Sequence, residues 1–462
     1  MNSATKKFLF SLIMLISVHA QAAKSEIGYG VETKFSYSDN IYRRDNNIKS
    51  DFYTSIEPFI NLKMAGRKNS IELNYSFFSR IYHEADFHEY VSHSLFSNII
   101  TEPIDDTLFI NLKIKNEQII DDPSGAIAFD GYHDEDSTIN VFSLLAEPRF
   151  YRRISRNVEV NLYTWFGFDL YDPGRQDTER RGANLVIGSH AGIDRFNWKI
   201  SSYYDKTHIR NIERSQLQRD TLYLSYPLFN RFVVFAEGGV EKETFRAPSD
   251  YPTQKDETNE VGFKWFPTKR TYLQVSSGNR VYGSVYSFDF KHTRKNSSLN
   301  IYYSEALTQV TALAVDTAVD VENYIGDISD LFRIENDTFI QEKLAANYVL
   351  NGRKNYFLIG TGRDIRRYRH KELTEKLYSF NLTWKYSYSG KTTFRINGNW
   401  SRLCESFDER LDDLSMLTIG VDRNIGKKST AYLQASKQIR DGKEDVVEYK
   451  EMIFSVGTTI IY

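Results

Sequence analysis

"EYKEMIFSVGTTIIY", Glu448 to Tyr462, ends the chain on a bare hydrophobic strand with an aromatic last residue. Split by parity, Met452, Phe454, Val456, Thr458, Ile460 and Tyr462 share one side; Ile453, Ser455, Gly457, Thr459 and Ile461 share the other. One side is greasy and the other is mostly small or polar. Successive side chains of a strand point to opposite faces, so this segment suits a wall with lipid on one side and water on the other. Lipid offers no hydrogen-bond partner, so such a wall must close on itself and leave no sheet edge. The last strand is then expected to pair with the first, around "IGYGVETKFSYSD" (Ile27 to Asp39), with Tyr462 at the headgroup boundary.

The same alternation recurs along the chain. In "DFYTSIEPFINLK", Phe52, Thr54, Ile56, Pro58, Ile60 and Leu62 oppose Tyr53, Ser55, Glu57, Phe59, Asn61 and Lys63. In "TLFINLKIKN", Leu108, Ile110, Leu112 and Ile114 oppose Asn111, Lys113 and Lys115. "VEVNLYTWFGFD" sets Val158, Val160, Leu162, Phe166 and Phe168 against Glu159, Asn161, Tyr163, Trp165 and Asp169. Charges keep to one face, which predicts mid-bilayer lipid at Ile110 and Val160 and water at Asn111 and Asn161.

A soluble sandwich alternates too, so the connectors decide. Tight ones ("AGRKN" at Ala65, "YRRISR" at Tyr151, "FPTKR" at Phe266, "NGRKN" at Asn351, "YSGKT" at Tyr388, "NIGKK" at Asn424) interleave with long polar ones at Asp121 to Ser137, Tyr171 to Glu179 and Thr244 to Asp256. Short turns on one rim and long loops on the other is the asymmetry of outer-membrane barrels. Gly and Asn in the short set tolerate the positive φ of hairpin turns. The fold class is therefore all-β: a transmembrane antiparallel up-and-down barrel of about 22 strands, within a range of 16 to 22. Of the nine prolines, Pro123, Pro173, Pro248 and Pro252 fall in long loops, Pro103, Pro227 and Pro267 at tight turns and Pro148 close to one; Pro58 stands inside a strand.

Composition agrees. Of 462 residues, 41% are hydrophobic and 26% charged, too apolar for disorder, and 31 Tyr with 31 Phe favour strands and membrane boundaries. Residues 1–22 read as a signal peptide: Lys6 and Lys7, an apolar run Phe8 to Val18, and Ala20-Gln21-Ala22 before a cut near Ala22. The formal charge then moves from −2 to about −4, which gives no sign of a nucleic-acid partner. The lone Cys404 makes no internal disulfide, and no later stretch reaches the ~18 apolar residues of a membrane helix. Residues 23–462 read as one barrel domain, placed in the outer membrane of a Gram-negative bacterium among lipid and lipopolysaccharide. The closing strand looks like the signal read by barrel assembly machinery.

Candidate sites are few. "YHEADFHEYVSH" offers His83, His88 and His93 as metal ligands, but the spacing is not H-E-x-x-H and the segment reads as a solvated hairpin tip. The acidic loop with Asp121, Asp122, Asp130, Asp134, Glu135 and Asp136 has oxygen ligands without an EF-hand register. There is no G-x-S-x-G and no evident triad, so the chain reads as a non-enzyme without a cofactor. Expected lumen-facing residues are Glu57, Lys63, Glu72, Arg80, Lys113, Lys115, Glu147, Arg149 and Glu159, with Tyr53, Tyr163 and Trp165 among them. Both charge signs beside rings suit a neutral or weakly charged polar solute, and equally a hydrated pore lining. Barrels near 22 strands usually carry a plug. The first strand starts almost at once, leaving no plug domain, so the longest connector, Glu305 to Asp337, is expected either to constrict the lumen or to form an external flap.

"YSDNIYR" (Tyr37 to Arg43), with "SDFYTSIEPFINL" and "GRKNSIELNYSFFSRIY" after it, resembles the opening of the β-barrel porin family found with bacterial exopolysaccharide loci. "NDTFIQEKLAANYVLNGRKNYFLIGTGRDIRRY" (Asn336 to Tyr368) is similar to the outer-membrane protein family associated with the PEP-CTERM exosortase system. The resemblance implies an outer-membrane barrel working with polysaccharide and export-complex proteins, and brings no catalytic residues. Other readings are a general solute porin, a structural or adhesive surface barrel, and a barrel enzyme acting on lipid or polysaccharide.

Overall fold

The computed structural model describes residues 24–462 apart from 47, 85–89, 121–137, 172–175, 190–195, 210–212, 247–253, 310–337, 370–372, 407–410 and 444–446. The signal-peptide reading, His88, the acidic loop and the four loop prolines lie outside the described residues.

The strands are β1 (Lys24–Ser38), β2 (Asp51–Ala65), β3 (Asn69–Tyr82), β4 (Tyr90–Ile104), β5 (Leu108–Ile120), β6 (Thr138–Arg153) and β7 (Val158–Tyr171). They continue as β8 (Thr178–Ser189), β9 (Asn197–Ile209), β10 (Glu213–Phe229), β11 (Phe232–Arg246), β12 (Gln254–Thr268), β13 (Thr271–Arg280), β14 (Gly283–Thr293) and β15 (Ser297–Gln309). The last are β16 (Thr338–Asn351), β17 (Asn355–Tyr368), β18 (Thr374–Ser387), β19 (Thr392–Glu405), β20 (Leu411–Asn424), β21 (Ser429–Gly442) and β22 (Tyr449–Ile461). Each pairs antiparallel with its neighbours in sequence, and β22 closes the cylinder on β1 from Gly30↔Ile461 to Ser38↔Ile453. Tyr29 and Tyr462 stack beside that seam, with ring centroids 5.6 Å apart.

Arg369, just after β17, bonds to Glu243 of β11 and to Gln254 of β12. With β13 to β16 between those strands, the groups meet only across the interior, so Glu243 faces inward. Directly paired residues share a face, which carries the assignment around the wall: Glu243↔Leu217, Leu217↔Asp205, Asp205↔Gly182, Gly182↔Trp165. The other parity is the outer surface, where Phe166, Leu417, Phe454 and Val456 are exposed.

Five prolines lie inside strands, each at a gap in one ladder. Pairing of β2 with β3 passes from Ile56↔Ser79 to Phe59↔Ser76 around Pro58, and that of β6 with β7 from Ala146↔Phe166 to Arg149↔Tyr163 around Pro148. Register shifts accompany Pro103, Pro227 and Pro267. A residue without an N–H is tolerated where no partner awaits it, which accounts for Pro58 in mid-strand.

Two sequence expectations need correction. Among the described residues positive φ occurs at Arg43, Asp106 and Gly283, so the glycines of the short turns do not supply it. Both "GRKN" turns instead close by one bond, Gly66 N–H to Asn69 O and Gly352 N–H to Asn355 O, each 2.7 Å. The longest connector also begins later than Glu305, because β15 runs to Gln309 and Glu305 lies opposite Glu342. Glu305 falls on the outward parity, where the alternation calls for an apolar residue, and its carboxylate accepts from the Tyr303 hydroxyl. Residues 310–337 lie outside the described set.

On the short-turn rim, Lys68 pairs with Asp105 of the next turn, and that hydrogen bond holds the Asp105 carboxyl below its ordinary value.

Candidate functional site

The inner wall is the candidate site, and one connected sector of it spans β5 to β9. Asn111 Nδ2 donates to Glu147 Oε2 at 2.9 Å, Lys113 Nζ lies 3.1 Å from the same oxygen, and the Tyr163 hydroxyl donates to Oε1. Beside them Trp165 Nε1 donates to Asp205 Oδ1 at 2.7 Å, and Arg180 Nε reaches it at 3.1 Å. The Tyr163, Trp165 and Tyr203 rings follow one another at 5.5 Å between centroids. Each carboxylate is thus neutralised by a cation and held by a ring donor; Trp165 is itself buried, and the partly exposed Tyr163 and Tyr203 rings beside it give this sector aromatic surface with little net charge.

Gly182, opposite Trp165, lets that indole lie flat: a Cβ there would stand 2.2 Å from Trp165 Cζ2. Gly262 does the same for Phe235, Gly457 for Tyr432 and Gly30 for Phe59, each pair directly opposed on the inner face. Ring-over-glycine pairs fix register and keep large side chains against the wall, out of the passage.

At the long-loop end the β1–β2 connection folds inward. Ile41 packs on Tyr53 and Ile453, and Arg43 Nε pairs with Glu451 Oε2 at 2.8 Å, with Ser38 Oγ donating to Oε1 at 2.6 Å. Asn40 Nδ2 donates to the carbonyls of Arg44 and Lys450, both at 2.9 Å. This is the segment "DNIYR", so the resemblance rests partly on an inward loop, a feature sequence reasoning missed; the turn residues and apolar Ile41 among polar neighbours were the available signal. The Arg369 contact with Glu243 and Gln254 narrows the same end. Arg369→Ala is expected to raise single-channel conductance in planar bilayers; an unchanged value would place the contact beside the current path.

The residues expected to line the lumen all carry inner-face parity. Lys63 and Glu72 pair at 2.9 Å, Lys115 pairs with Glu117, Arg149 Nε donates to Asn161 Oδ1 at 2.9 Å, and Glu159 accepts from Tyr151 at 2.9 Å. Glu57 lies opposite Glu32. Arg80 is wholly buried, its guanidinium 4.4 Å from the Tyr53 ring centroid, so it holds the wall rather than meeting solvent. The structure joins Lys113 with Glu147 and Lys63 with Glu72 and leaves the other candidates in separate contacts. His83 Nε2 lies 3.2 Å from Thr54 Oγ1, and His93 is inside β4 on the outward parity, not on a hairpin tip. Among the described residues no three His, Cys, Asp or Glu side chains gather as a metal site.

No family model matches the chain, and no curated protein matches it. Among solved structures it is similar to the FrpB iron transporter from Neisseria meningitidis (F3-3 variant), with TM-score 0.56 and 9% identity over 94% of this chain and 82% of that one. It is also similar to the siderophore receptor PirA from Acinetobacter baumannii, with TM-score 0.55 and 6% identity over 96% and 81%. At such identities the likeness concerns the fold: a closed 22-strand antiparallel barrel of the outer-membrane type.

Proposed function

We propose that the barrel stands in the outer membrane of a Gram-negative bacterium and passes extracellular polysaccharide through its lumen. The observation that carries this reading is the inner wall of β5 to β9, where paired charges leave ring surface and hydrogen-bonding groups with little net field. That lining suits a polar chain of weak charge better than a small ion, which a wall of one sign would select. The resemblance to barrels of exopolysaccharide loci points to the same substrate class, and the two structural neighbours are themselves named as a transporter and a receptor. Glu57, Lys63, Glu72, Lys113, Lys115, Glu147, Arg149 and Glu159 are the contacts proposed for the polymer. Arg80 acts behind them by fixing Tyr53. Export-complex proteins of the envelope are the proposed partners, and cleavage near Ala22 precedes insertion by the assembly machinery.

Deleting the gene tests the reading. Secreted polymer is expected to disappear while uptake of small sugars is unchanged. Polymer that persists while sugar uptake falls would favour a general solute porin. Purified protein in planar bilayers should conduct ions and be blocked by neutral oligosaccharides; a barrel that conducts nothing would favour a structural role.

A further inference from the structure

β14 and β15 are joined by six residue pairs, from Phe288↔Tyr303 to Thr293↔Ser298. Beyond them, residues 283–287 of β14 stay paired with β13, and residues 304–309 of β15 stay paired with β16, but the two strands no longer pair with each other. Six pairs cover roughly 20 Å of strand, about 15 Å of height at barrel tilt, whereas the apolar band of such barrels is about 25 Å tall. With the short turns at the inner boundary, the join ends inside the outer leaflet. Backbone groups orphaned there would cost several kcal/mol each against lipid.

One side chain compensates. The Tyr282 hydroxyl, at the tip of the β13–β14 hairpin, donates to Glu305 O at 3.5 Å. Glu305 lies beyond the last β14–β15 pair, so the phenol meets a carbonyl in the stretch where the neighbouring strand no longer bonds. Its position is braced from within: Arg280 lies 5.7 Å from the ring centroid and forks onto Glu241 at 2.9 and 2.6 Å, while Val281 N–H reaches the same carboxylate. Gly283, with φ of 125° and open space where a Cβ would stand, supplies the bend. The edges of the gap are small. Ser304 and Ala306 are exposed on the inner parity, and Tyr286 and Leu307 carry apolar surface on the outer one.

We propose that the outer half of the β14–β15 junction is a lateral portal between the lumen and the outer leaflet, latched by Tyr282, for an amphiphile with a polar head and one acyl chain. The head replaces the phenol on the Glu305 carbonyl and rests among the inner hydroxyls; the tail leaves past Tyr286 and Leu307. A polymer does not fit between adjacent strands, so this route is separate from the axial passage. It rests on the membrane placement proposed above but not on conduction.

The test uses the full chain in lipid nanodiscs, with Cys404→Ser, Ser287→Cys and Ser304→Cys, the last two continuing the register of the six pairs. The probe is photoactivatable lysophosphatidylcholine, and labelled residues are mapped by mass spectrometry. Labelling of inner-face Ala306 or Thr308 is expected in the reduced protein, lost on oxidation to the disulfide, restored by reductant and increased by Tyr282→Phe. Inner-face labelling that is equal before and after oxidation, or labelling confined to Tyr286 and Leu307 in every variant, would overturn the portal. Failure of the axial reading appears separately, as absent conductance or unaltered polymer secretion.

Discussion

Arg440→Met is expected to destabilise the barrel by about 3–5 kcal/mol. Its guanidinium grips Asp412 on the inner wall, Nε to Oδ1 at 2.9 Å and Nη2 to Oδ2 at 2.6 Å, and neither side chain has any solvent exposure. Removing the cation strips a wholly buried carboxylate of its bidentate guanidinium partner. Urea titration of the folded protein in lipid vesicles measures the loss. Adding Asp412→Leu should recover most of it, because a buried pair replaced by apolar groups of similar size is often neutral. A single variant as stable as the parent would mean that water reaches this part of the wall.

Leu344→Lys should cost about 2–4 kcal/mol, while Asn347→Lys costs little. Leu344 is exposed on the outer surface of β16 near mid-strand, whereas Asn347 has the inner parity. The native sequence already places Lys343, one residue from Leu344, on the inner face. Ile110 and Val160, expected from the sequence at mid-bilayer, keep the outward parity but stand close to the short turns, so lysine there should cost only about 0–1 kcal/mol, as is usual near the interface. Equal losses at Leu344 and Asn347 would contradict the assignment of outside and inside.

The strand number, the facing of each segment and the asymmetry of the rims were readable from the sequence because each rests on local chemistry: period-2 alternation and turn composition. "VEVNLYTWFGFD" displays its two faces without reference to any other strand. What escaped reading depends on register between strands. Gly182 carries no sign of Trp165, and Arg369 none of Glu243, until pairing brings them together. Glu305 looked like the start of a loop because its outward carboxylate breaks the alternation, and only the Tyr303 hydroxyl beside it explains how a strand bears it. The inward β1–β2 loop was obscured for the opposite reason, since "SDNIYR" has the polarity of a solvated connector while its Ile41 and Arg43 are buried.

The seam between β1 and β22 sets a condition on biogenesis. Ser36 finds its partner hydroxyl on Ser455, 419 residues later in the chain. Until Tyr449–Ile461 arrives, the opening strand keeps a raw edge that could capture any stray extended polypeptide. The nascent chain therefore needs an escort for nearly its whole length, and premature termination anywhere before the final dozen or so residues should yield aggregates instead of smaller cylinders.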